Sequence, residues 1–64
     1  MSRAFEQMTE DRRREAFAAL VAAQDRGISV AQSRSEVADQ FGVSRDQVAA
    51  IESEGVDNEW PPLG

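Results

Sequence analysis

The chain reads as an all-α domain of three short helices. Three observations predict this. Apolar side chains recur at helical spacing in separate stretches, each stretch opens on a hydroxyl residue able to cap a helix and closes on a glycine, and no two segments alternate so as to pair as strands. Of 64 residues 26 are apolar, and 10 of these are alanine. The 16 larger apolar side chains are enough for one small core and no more.

The first helix is predicted over 9–26. Thr9 offers an N-cap hydroxyl, and Glu10 and Asp11 put negative charge at the positive pole of the helix. From Arg12 to Arg26 there is no proline or glycine, and Gly27 ends the run. Phe17, Leu20, Val21 and Gln24 fall at i, i+3, i+4 and i+7, which gives an apolar stripe of Phe17, Leu20 and Val21 flanked by alanines. Residues 1–8 are mixed and only partly periodic, and read as a flexible lead-in. Arg12-Arg13-Arg14, set between Glu10, Asp11 and Glu15, reads as a solvated face with local ion pairs, a phosphate-binding patch being the alternative.

Residues 28–32 alternate like a short strand but have no partner strand, so they read as a connector with one or two buried anchors. Ser33-Arg34-Ser35-Glu36 matches the capping box, in which hydroxyl and carboxylate satisfy two orphaned backbone donors. A second helix is therefore predicted from Ser33 through Val37, Ala38 and Phe41, stopping at Gly42. Ser44-Arg45-Asp46-Gln47 repeats the box, with Val43 and Val48 at the two positions of a hydrophobic staple. The third helix is predicted over 44–54, with Val48 and Ile51 buried and Gly55 as terminator. The domain then spans 9–55. Residues 56–64 form a C-terminal tail that Trp60-Pro61-Pro62 makes extended at its end. Trp60 is expected to fold back over so small a core, with an extended Trp-Pro-Pro-Leu docking motif as the alternative.

Residues 34–53 carry the functional signal. Two helices crossing over a short turn need a small residue at their closest approach, here Ala38, and a permissive backbone at the turn, here Gly42. Val37, Phe41, Val43, Val48 and Ile51 supply the inner faces, so the segment reads as a helix-turn-helix. Val37 through Glu52 also resembles the C-terminal helix-turn-helix of bacterial sigma factors. The resemblance covers about a quarter of the chain closely. It implies a reading helix that begins at Val43-Ser44-Arg45, promoter DNA facing the exposed residues after Arg45, and a place in transcription. On the surface that family fills with arginine or glutamine, this chain carries Gln47, Ala49 and Ala50. At this length the expectation is a sigma-region-like module and not a whole sigma factor.

From the residues themselves, a third helix docked N-terminus first into a major groove would present Arg45, Asp46, Gln47 and Ala50 to base edges. Ser44 caps that helix, and Ser33, Arg34 and Ser35 at the start of the second would sit near phosphates. Arg45 also has a bland reading as a surface residue. Glu52 and Glu54 sit in the same third helix and would repel phosphates if they faced them.

The remaining classes are narrowed by absence. With no cysteine and no histidine, thiolate and imidazole chemistry and zinc fingers are excluded, and carboxylates are the only metal ligands available. Neither an enzyme nor a cofactor is expected. No run approaches a membrane span, and the N-terminus lacks the apolar block of a secretion signal, so the chain is expected in the cytoplasm and off the membrane. Seven basic residues, all arginine, against 12 acidic ones give a net charge of −5. That balance argues against a nonspecific nucleic-acid coat or an anionic surface as partner. The partners expected are double-stranded DNA, together with a second copy or a larger transcription-related protein. The alternative is a protein-interaction module on the same scaffold, with Glu52, Glu54, Glu59 and Trp60 meeting a basic partner.

Overall fold

Three hydroxyls start the three helices of the computed structural model, which describes residues 8–63. Thr9 caps α1 (Glu10–Asp25), its hydroxyl accepting from the Arg12 N–H at 3.1 Å. Ser29 caps α2 (Val30–Phe41) by accepting from the Gln32 N–H at 3.1 Å. Ser44 caps α3 (Arg45–Asp57) by accepting from the Gln47 N–H at 3.1 Å, and the Gln47 carbonyl oxygen accepts from the Ser44 N–H at 2.9 Å, which closes the expected box. Among the described residues there is no strand. Met8, the last residue of the predicted lead-in, is buried in the core; the rest of that segment and Gly64 lie outside the described residues.

The helices also end alike. In each, a residue with left-handed backbone is followed by an apolar residue whose N–H bonds to a carbonyl in the last turn, the six-to-one bond of a Schellman ending. Gly27 (φ 89) precedes Ile28, which donates to Ala23 at 3.3 Å. Gly42 (φ 71) precedes Val43, which donates to Ala38 at 3.0 Å. At the end of α3 the left-handed residue is Glu59 (φ 53), and Trp60 donates to Gly55 at 2.9 Å.

Two predicted boundaries need correction. The second helix starts a turn before Ser33, so Ser33 is not an N-cap. It is fully buried, donating its hydroxyl to the Val30 carbonyl at 2.8 Å and accepting from Gln24 Nε2 at 3.2 Å. It shares the inward stripe of α2 with Val37, and its polar atom is satisfied by these two bonds. Gly55 does not terminate the third helix, which continues to Asp57. Gly55 is buried against the Phe17 ring, where any Cβ would overlap ring carbons. Its missing side chain is what lets α1 and α3 approach.

The core comprises Met8, Ala16, Phe17, Leu20, Val37, Ala38, Val48, Ile51 and Trp60, with Phe41 and Val43 partly buried against it. Trp60, 4% exposed, meets Phe17 edge to face at 6.1 Å between ring centroids. This T-shaped geometry suits the positive ring edge against the negative ring face.

Candidate nucleic-acid interface

Residues from the first two turns of α2 and of α3 together line one shallow depression of about 240 Å³: Ala31, Arg34, Arg45, Asp46 and Ala49. Backbone N–H groups at a helix start have no partner within the helix and carry partial positive charge, so such a surface favours an anion. Arg45 is exposed and makes no ion pair or hydrogen bond with the other described residues. Asp46 is exposed beside it in the first turn. Arg34 is partly buried and already engaged, its Nε and Nη2 lying 2.9 and 2.8 Å from Glu52 Oε1.

The structure therefore brings together Arg34, Arg45 and Asp46 of the predicted set. Ser33 is buried and off the surface, and Ser35 is partly buried. The hydroxyl oxygen of Ser44 and the amide oxygen of Gln47 each accept one of their mutual capping bonds, which fixes the Gln47 side chain and leaves its amide NH2 uncommitted. Ala50 is exposed but does not line the depression. Ala49 does, as the residue one helical turn beyond Arg45; Ala31 could be placed only by starting α2 at Val30.

The residues proposed for a basic partner separate. Glu54, Glu59 and Trp60 line a second depression of about 390 Å³ with Glu10 and Arg14, while Glu52 turns to Arg34. Glu54 takes a two-pronged bond from Arg13, at 2.8 Å from Nε and 3.0 Å from Nη2, and Arg13 Nη1 donates to the Met8 carbonyl at 3.0 Å. The hydrogen bonds to Glu54 raise the pKa of the Arg13 guanidinium; partial burial opposes them. With Trp60 buried, its ring is not free to anchor a docking motif.

The arginine run is more than a solvated face. The expected local pairs form, Arg12 to Glu15 at 2.8 Å and Arg14 to Glu10 at 2.7 Å. Successive residues of a helix point about 100° apart. The three guanidiniums accordingly reach three different elements: Arg12 lies 4.4 Å from the Phe41 ring centroid, Arg13 holds Glu54, and Arg14 lies 5.2 Å from the Trp60 ring centroid. These cations tie α1 to α2, to α3 and to the tail.

The chain matches no protein-family model, no curated protein and no solved structure. Geometry and sequence alone carry the functional reading. Among the described residues no helix is long and apolar enough to cross a membrane, and no group of three or more acidic side chains is arranged to hold a metal.

Proposed function

We propose that the chain is a transcription-associated helix-turn-helix module whose α2–α3 face meets duplex DNA, with a second copy or a larger protein supplying the rest of the affinity. The observation that carries this reading is the depression that brings Arg34 and Arg45 together from the first two turns of α2 and α3. The three-residue link Gly42-Val43-Ser44, with left-handed Gly42 and buried Ala38, supports the helix-turn-helix pairing of α2 and α3, and the sigma-factor resemblance of residues 37–52 points the same way. Arg45 is the guanine-reading residue, Gln47 offers its NH2 to a base edge, and Arg34 is the phosphate contact.

Two arginines make a weak electrostatic footprint. With Arg45 on a base edge and Arg34 the one phosphate contact, log K falls against log salt with a slope no steeper than about −1, and a lone module binds poorly at physiological salt. Glu52 withholds one of them. Glu52→Gln should free Arg34 and steepen the salt dependence by about one unit, whereas Arg45→Ala should cost about 1–3 kcal/mol of specific binding. Fluorescence anisotropy with labelled duplex at several salt concentrations measures both. Equal binding by parent, Arg45→Ala and Glu52→Gln would overturn the proposal.

The protein-interaction reading is favoured by one observation. Of the six arginines among the described residues, five are ion-paired within the chain, so the outer surface is dominated by acids. A chain that fails to bind DNA at low salt but retains a basic protein partner would establish that reading instead.

A further inference from the structure

We propose that the apolar groove between the C-terminal halves of α1 and α3, closed on one side by Leu63, docks a basic amphipathic helix of a protein partner. The groove is about 260 Å³ and is lined by Leu20, Val21, Val56 and Leu63, with Asp25 and Glu52 among its polar residues. Val56 and Leu63 are each 54% exposed, and they are two of the three exposed large apolar side chains among the described residues. Their position at one groove gives a partner an apolar seat, unlike exposed apolar residues scattered singly.

Charge selects the occupant. Neither α1 nor α3 has a basic residue in its last turn, although the negative pole of a helix dipole favours one there. Each helix instead ends on an exposed aspartate, Asp25 and Asp57, which acts against its own dipole. Of the nearest cations, Arg26 is turned towards Glu36 at 3.8 Å, and Arg34 pairs with the groove's own Glu52, which leaves Asp25 as the lining carboxylate with no ion pair to a described residue. An apolar seat with the Asp25 carboxylate in its lining, and with Asp57 following its Val56 in the chain, complements aliphatic side chains flanked by lysine or arginine. A second copy fits badly, because a twofold contact would set the same acids against each other. Duplex DNA is repelled for the same reason. With no strand edge among the described residues to extend, the partner presents a helix, with aliphatic anchors at i, i+3, i+4 and i+7. The groove uses neither Arg45 nor the N-terminal ends of α2 and α3, and it shares with the DNA proposal only Glu52, the partner of Arg34.

The test is a titration of the isotope-labelled protein with a short synthetic helix carrying leucines at that spacing and lysines elsewhere, beside a twin with glutamates replacing the lysines. The lysine helix should bind saturably, with amide shifts centred on 20–25, 52–57 and 63, and the glutamate twin should not bind. The double variant Val56→Ser/Leu63→Ser should weaken binding roughly tenfold or more, and Asp25→Asn/Asp57→Asn should weaken it by several-fold, most at low salt. All four positions are exposed or at helix ends, and unchanged far-UV circular dichroism and Trp60 emission will show that each variant folds. Shifts spread over all surface acids, or full binding by Val56→Ser/Leu63→Ser, would overturn the proposal. Concentration-dependent dimerisation abolished by Val56→Ser/Leu63→Ser would also overturn it, by making a second copy the occupant.

Discussion

Along α3, the first turns and the last turns use their surfaces differently. From Arg45 to Ala50 only Val48 is buried, and Arg45, Asp46 and Ala50 stand exposed. From Ile51 to Trp60 the chain buries Ile51, Gly55 and Trp60, while Glu52 and Glu54 are bonded to Arg34 and Arg13. One half is anchored through a single side and leaves Arg45, Asp46 and Ala50 to solvent; the other is a clasp between α1, α3 and the tail. A helix this short can serve both ends because the clasp is concentrated in two features, a glycine that admits Phe17 and a tryptophan that closes over it.

The comparison implies that substitutions in the clasp act on stability and those in the first turns on binding. Trp60→Ala should show the largest effect, a loss of about 3 kcal/mol or more in denaturant unfolding, since it empties a buried aromatic site. In a domain this small that loss would approach the whole stability. Gly55→Ala follows, at about 2 kcal/mol destabilising despite the better helix propensity of alanine, because the Phe17 ring must move. If Gly55→Ala proved stabilising, the close approach would not be a constraint. Glu59→Gly should have the opposite sign and a smaller size, raising the unfolding free energy by roughly 0.5 kcal/mol, because a glycine adopts the left-handed backbone without steric cost. Arg45→Ala should leave stability within about 0.5 kcal/mol, as expected of an exposed side chain outside any network.

The pH behaviour of the clasp follows from Arg13. Its pKa is raised in the fold, so its contribution is fully present below the unfolded arginine range and is lost only as pH rises through the folded value. Across the neutral range the cationic side of the Arg13–Glu54 pair is therefore constant.

Features that depend on neighbours in sequence were legible from it: Thr9 and Ser44 as caps, the Ser44–Gln47 box, Gly27 and Gly42 as stops, and the apolar stripe of α1. Features set by distant neighbours were not. Ser33-x-x-Glu36 predicts the start of the second helix, while Ser29-x-x-Gln32, which fits the same pattern, falls in the stretch predicted to be a connector. The structure chooses Ser29 as the cap because Ser33 falls on the inward stripe of α2, where Val30 and Gln24 satisfy it. Gly55 lies where a terminator would, and only the position of Phe17 gives it a different role. At the candidate interface, helix-start logic places Arg45 and Asp46 in the first turn of α3 as the structure does, whereas Arg34, expected at the start of α2, lies in its second turn. The pairing of Arg34 with Glu52, which halves the free positive charge there, is a contact between helices that spacing along one helix does not reveal.

The most direct test is an amide-resolved NMR titration of the protein with mixed-sequence duplex DNA at low and then higher salt. Salt-sensitive shifts confined to 31–34 and 45–49, with the clasp residues 52–60 unmoved, are the predicted result. Absence of shifts at low salt, or shifts centred on the α1 arginines or the clasp, would contradict the assignment of the α2–α3 face to DNA.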